Sequence, residues 1–89
     1  KARIPFDVPE EHKFEIVREL KEELSEEYEE TNTRDGIRIE LENGWVLIRA
    51  SNTSPVIRLT VEAETVEDFR ELKEEFSEEI SRKIEQMSD

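Results

Sequence analysis

Cysteine is absent from these 89 residues, so neither a disulfide framework nor a thiolate metal site can form, and a reducing compartment suits the chain. Glycine occurs twice, proline three times and histidine once. That scarcity excludes a phosphate loop of the G-x-x-x-x-G-K type and leaves too few imidazoles for a histidine metal centre. No apolar run approaches the roughly 20 residues that span a bilayer, and the first residues lack the apolar core of a secretory leader. The expectation is a cytoplasmic protein with no membrane contact. Apolar residues make up 34% of the chain and charged residues 43%, a balance that borders on disorder. The apolar residues nevertheless recur in clear periods, which disordered chains lack. The chain is therefore read as one folded domain, residues 1–89, with a thin core, since a domain this small buries only about 60% of its unfolded surface.

Cations are scarce too: 13 against 25 acids, a net charge of −12. Their distribution matters more than their total. Residues 10–30 hold ten acids and three bases, and residues 65–89 hold nine and four. Residues 31–64 hold five acids and four bases, all of them arginine: Arg34, Arg38, Arg49 and Arg58. The acidic excess sits on two flanks, and the near-neutral middle is where an anion can bind.

Those flanks read as helices. KARIPFDVP alternates, with Ile4, Phe6 and Val8 on one side, as a short strand does, and Pro5 marks it as an edge. Pro9 suits the first position of a helix, with Glu10 and Glu11 at the positive end of its dipole. Phe14, Val17, Leu20, Leu24 and Tyr28 form one apolar stripe. TNTRDG, residues 31–36, is turn chemistry. Ile37, Ile39 and Leu41 then alternate with polar residues up to Asn43-Gly44, a strong signal for a two-residue hairpin turn. Such a turn pairs Leu41 with Val46, Ile39 with Ile48 and Ile37 with Ala50 on the core side, and points Trp45, Leu47 and Arg49 the other way.

After Pro55 another strand carries Ile57, Leu59, Val61 and Ala63 inward and Val56, Arg58, Thr60 and Glu62 outward. Thr65 and Asp68 fit a capping box for a last helix with the stripe Val66, Phe69, Leu72, Phe76, Ile80, Ile84 and Met87. The order β-α-β-β-β-α predicts an α+β domain: a four-stranded antiparallel sheet with two helices on one face and the other face open.

Little in the chain offers catalysis. His12 lies in the first turn of an acidic helix, and runs such as Glu26-Glu27 and Glu74-Glu75 read as solvated helix faces. The exception is RASNTSPVIR, residues 49–58, which sets two arginines, an amide and three hydroxyls in ten residues. The arginine fork matches the oxygens of a phosphate, short hydroxyl and amide side chains add donors, and turn N–H groups can form a nest. A polar hairpin loop balancing nearby acids is the plainer reading of the same residues.

The residues Asp35-Gly36, Asn43-Gly44-Trp45, Arg49, Ser51-Asn52-Thr53, Pro55, Arg58 and Glu62-Ala63 together resemble the C-terminal domain of the α-D-phosphohexomutases, the phosphoglucomutase and phosphomannomutase enzymes. The likeness covers at least residues 35–65, and the flanking helices suit the plan of that domain. It implies a domain that grips the phosphate not being transferred while an intramolecular phosphotransfer proceeds elsewhere. By that resemblance Arg49, Ser51, Asn52 and Thr53 contact the phosphate, Ser54 and Arg58 support them, and no catalytic or metal-ligating residue is present. Its ligands are hexose phosphates (1-phosphate, 6-phosphate and bisphosphate), and its partners are the remaining domains of the same enzyme, which carry a phosphoserine and Mg²⁺.

Two positions depart from the family pattern: Ala50 stands where proline is usual, and Ser54 where glutamate is usual. The chain has no metal loop and no catalytic-serine segment, so it is not active alone. A stand-alone module for phosphorylated small molecules or a protein partner is the alternative. Nucleic acid is disfavoured, although the layout is similar to half of the TATA-binding-protein fold, because backbone binding needs clustered cations and the chain is strongly acidic. Outward Trp45 and Leu47 mark the open face as a surface for another domain, the plainer reading being that Trp45 covers its hairpin partner strand.

Overall fold

A computed structural model describes residues 1–32 and 36–87. Strand β1 (Ala2–Asp7) is followed by a 3₁₀ turn (Glu10–His12), helix α1 (Lys13–Glu27), strands β2 (Glu30–Asn32), β3 (Gly36–Leu41), β4 (Gly44–Ala50) and β5 (Val56–Ala63), and helix α2 (Val66–Met87). The sheet runs β1-β5-β4-β3-β2, antiparallel throughout. The α+β order β-α-β-β-β-α and the four antiparallel strands expected from the sequence are present. The short β2 is an addition, pairing Glu30 with Ile39 at the far edge. Its residues 31 and 32 belong to the stretch read as a turn, of which Thr33, Arg34 and Asp35 lie outside the described residues.

Alternation places Ile37 and Ile39 of β3, Val46, Ile48 and Ala50 of β4, and Ile57, Leu59 and Val61 of β5 on one face, all fully buried. Both helices cover that face. Helix α1 contributes Ile16, Val17, Leu20 and Leu24, and α2 contributes Leu72, Phe76 and Ile80. The α1 stripe differs from the expected one at its start. Pro9 is extended (φ −61°, ψ 128°) and caps the 3₁₀ turn from outside rather than opening a helix. Within α1 the packed face carries Lys13, Ile16, Val17, Leu20 and Leu24, so Ile16 is buried while Phe14, on the flank of that face, is 54% exposed. At the start of α2, Val66 is likewise exposed. Thr65 caps α2 as expected, its Oγ1 accepting from the Asp68 N–H at 3.1 Å.

The hairpin register also differs. Leu41 pairs with Gly44, Ile39 with Val46 and Ile37 with Ile48, so the turn residues are Glu42 and Asn43. A type I′ turn on Asn43-Gly44 needs positive φ at both residues. Among described residues only Gly44 has it, at φ +156°. A shift of two residues leaves every side chain on its expected face, because the strand period is two.

Two lysines lie on the apolar side of the helices. Lys13 is 1% exposed, with Nζ 2.9 Å from Glu10 Oε1. The buried Lys83 of α2 bonds Glu23 and reaches Glu19 at 3.5 Å, both on α1. The bond to Glu23 raises its pKa above the usual lysine value, against the opposing effect of burial. Tyr28 stacks at a tilt on Phe76 with ring centroids 5.6 Å apart. Its hydroxyl donates to Glu75, which holds the phenol well above its ordinary pKa.

Candidate phosphate-binding loop and the open sheet face

Residues 51–55 connect β4 to β5 at the end of the sheet near the start of α1. The loop is built around Ser51, which is 4% exposed. Its N–H donates to the Val56 carbonyl at 3.0 Å and closes the loop. Its hydroxyl accepts from the N–H groups of Thr53 and Ser54, both at 3.2 Å, and lies 3.4 Å from Thr53 Oγ1. A serine is short enough to reach its own chain two and three residues on, which is why it organises tight loops. Val56 N–H donates to the Ser54 carbonyl at 2.8 Å across Pro55, whose fixed φ suits such a three-residue turn. Val8 N–H donates to the Pro55 carbonyl at 3.0 Å, tying the loop to the end of β1.

The expected site residues thus fall into two groups. Arg49, Asn52 and Thr53 are exposed, the Thr53 hydroxyl lying against that of Ser51, whereas Ser51 is turned inward and two of the turn N–H groups are taken up by its hydroxyl. Ser54 is half-buried and Arg58 exposed. Arg58 sits directly across from Arg49 in the β4–β5 register, on the open sheet face. Fully buried Ala50 points into the core opposite Ile57.

Lys13 is the residue the sequence reading missed. Its Nζ donates to the Ser54 carbonyl at 3.0 Å, so α1 holds the loop from below. Arg3 was missed as well. With Ile4 and Phe6 turned inward, strand parity puts Arg3 on the open face opposite Thr60. There Arg3, Arg49 and Arg58 border a cleft of about 280 Å³ together with Lys1, Leu47 and Thr60. Trp45 on the same face is half-buried rather than bare. The Arg38 guanidinium lies 4.1 Å from its ring centroid and its Nε1 donates to Glu62 at 2.8 Å. Arg38 is also paired to Glu40 at 2.5 Å.

Among the described residues, no group of three or more His, Cys, Asp or Glu is placed to hold a metal, and no helix is long and apolar enough to cross a membrane. The arrangement gathers Arg49, Asn52, Thr53 and Arg58 at one end of the sheet.

Residues 4–79 match the family described as phosphoglucomutase/phosphomannomutase, C-terminal domain, and the chain belongs to that family. Among its relatives is a probable phosphoglucosamine mutase of Methanopyrus kandleri, 45% identical over 86 residues, which is 97% of this chain and 19% of the relative. A phosphomannomutase/phosphoglucomutase of Pseudomonas putida is 37% identical over 79 residues, 89% of this chain and 17% of the relative. A phosphoglucosamine mutase of Methanocaldococcus jannaschii is 60% identical over 42 residues, 47% of this chain and 9% of the relative. The chain spans less than a fifth of the length of these curated relatives.

Proposed function

We propose that the chain is the phosphate-holding C-terminal domain of a hexose-phosphate mutase. The observation that carries this reading is the Ser51-centred loop, anchored by Lys13, which carries the exposed Arg49, Asn52 and Thr53 at the end of the sheet. A phosphate there receives charge-assisted bonds from the guanidinium and further bonds from the amide and hydroxyl, on a backbone that does not have to be ordered at the moment of binding. Ser51 contributes by shaping the loop, and Ser54 and Arg58 support it. The relatives carry names for different sugars, glucosamine in one case and mannose or glucose in another. What their substrates share is the phosphate, which suits a domain that reads the phosphate rather than the sugar.

In this reading the loop supplies binding and orientation. The phosphoryl-carrying serine and the Mg²⁺ implied by the family belong to the other domains of a longer enzyme, which are also its partners. A cytoplasmic setting accords with the lack of cysteine.

The test is an amide-shift titration of the isotope-labelled chain with hexose 1-phosphate or hexose 6-phosphate. Amides of residues 49–54 move first, with a Kd of about a millimolar, because the effective concentration supplied by other domains is missing. Arg49→Ala abolishes the response and keeps the dispersed spectrum of a folded chain. Shifts centred on the helices, or none at high ligand, overturn the reading.

A further inference from the structure

Gly36 opens β3 directly across from Arg49 of β4. It belongs to the motif shared with the family, yet it has no side chain to offer a ligand. Among the described residues only Gly44 has a positive φ, so conformational freedom does not explain the glycine at position 36. Space does. A Cβ added at Gly36 falls 2.0 Å from the Ile48 carbonyl oxygen, 2.8 Å from Arg49 Cβ and 2.9 Å from Arg49 Cα. Facing residues of a regular antiparallel pair keep their Cβ atoms about 4.5–5.5 Å apart, so β3 and β4 meet here more closely than two side chains allow. We propose that Gly36 is a positioning residue for Arg49: its missing side chain lets β3 lie against the root of the arginine and fixes the direction in which the guanidinium leaves the sheet to meet phosphate. This inference rests on the loop reading above.

Three observations support it. First, paired residues share a face of the sheet, so a side chain at position 36 would stand on the open face beside the Arg49 stem and not in the core. Arg58 already occupies the neighbouring position on the β5 side, and a side chain at 36 would close the other flank. Second, the conflict has one outlet. Ile48 and Ala50 are fully buried, and Gly36 is buried too, whereas Arg49 is exposed. A close-packed core resists displacement, so a methyl group at 36 is accommodated by moving Arg49. Third, Arg49 lies two residues before Ser51, whose N–H closes the loop on the Val56 carbonyl at 3.0 Å. An offset at the Arg49 Cα changes where its side chain stands relative to Asn52 and Thr53.

The experiment compares Gly36→Ala with Ile39→Val, a substitution on the core face of the same strand, in the labelled chain. Hexose 6-phosphate is titrated at a temperature where every variant is folded. Gly36→Ala is expected to bind about tenfold more weakly, the equivalent of one charge-assisted bond, and to shift the Arg49 Nε–H resonance before any ligand is added. Ile39→Val is expected to change neither. A lysine ammonium is a point charge on a flexible stem and needs no such aiming. In an Arg49→Lys background, Gly36→Ala is therefore expected to cause no further loss of affinity. The same loss in both backgrounds marks a purely structural glycine and overturns the proposal. Undiminished affinity with an unmoved Arg49 Nε–H in Gly36→Ala overturns it as well, and either result leaves the loop reading standing. No response at residues 49–54 in the unaltered chain overturns the loop reading itself. If Gly36→Ala does not fold, cross-relaxation in the unaltered chain decides: strong transfer from the Gly36 Hα protons to the Arg49 stem, kept when ligand is bound, supports the proposal, and its absence overturns it.

Discussion

The ammonium group of Lys13 lies 3.0 Å from the carbonyl oxygen of Ser54, 41 residues away in the chain. This contact joins the start of α1 to the loop proposed to hold phosphate. It makes a residue with no exposed surface of its own responsible for the shape of an exposed site.

Replacing Lys13 therefore affects stability and binding in different proportions depending on the replacement. Lys13→Met keeps the packed stem and leaves the Ser54 carbonyl still bonded to the Val56 N–H, so about 1 kcal/mol is lost. Lys13→Ala also removes the stem from a fully buried position and costs about 2–3 kcal/mol. The Glu10 partner is largely exposed and adds little to either figure. Urea unfolding gives the two stabilities. Phosphate titration should show both variants weakened by a similar factor, since both release the loop.

Ser51 and Asn52 are adjacent and should behave oppositely. Ser51→Ala deprives the N–H groups of Thr53 and Ser54 of their acceptor and is expected to cost about 1–2 kcal/mol. Asn52 is exposed, so Asn52→Ala should leave stability within about 0.5 kcal/mol while weakening binding of a hexose phosphate. Thermal melts and amide-shift titrations on the two variants separate a residue that builds the loop from one that meets the ligand. Equal loss of stability in both would overturn that division.

The difference between these two serine-loop roles was not legible in the sequence, which places hydroxyl and amide side chains together without saying which turn inward. The sheet was legible because strand parity survives a register error: Ile39 stays on the core face whether it pairs with Val46 or Ile48. Helix phase is less forgiving. In α1 the buried face runs through Ile16, Val17 and Leu20 and leaves Phe14 out, although Phe14 and Val17 have the same spacing as a stripe. Lys13 and Lys83 lie three residues from Ile16 and Ile80 on the apolar faces, where a charged residue reads as a break in the stripe. Only the tertiary partners, the Ser54 carbonyl and Glu23, explain why a lysine is kept there. The family motif located the loop, whereas the Arg3 contribution required knowing that β1 pairs with β5.

Alkaline pH should weaken the fold through two groups at the interface of α1 and α2. Tyr28 and Lys83 both bind their protons more tightly in the folded chain than at their ordinary values of 10.0 and 10.5. As pH rises past those values the unfolded chain releases its protons first, so deprotonation favours unfolding. The stabilisation is complete below about pH 10 and declines above it. Melting temperature measured from pH 8 to pH 11 should fall at the upper end. Tyr28→Phe and Lys83→Met should each flatten that fall, because each removes one of the groups that release a proton on unfolding.

Gly44 sets the hairpin more firmly than the asparagine before it. A Cβ added at Gly44 meets the Glu62 carbonyl oxygen at 2.2 Å and the Ala63 Cα at 3.0 Å, and the residue already has φ +156°. Gly44→Ala must therefore displace β5 as well as strain its own backbone, with an expected cost of about 2–4 kcal/mol. In a domain of this size that lowers the melting temperature by about 10–20 °C. Asn43, in contrast, has no positive φ, and its side-chain bond to Asp68 is a long one of 3.4 Å. Asn43→Ala should cost less than about 1 kcal/mol. If thermal melts gave the two substitutions equal and large effects, the turn would be the Asn43-Gly44 type after all, with Leu41 paired to Val46 instead of Gly44.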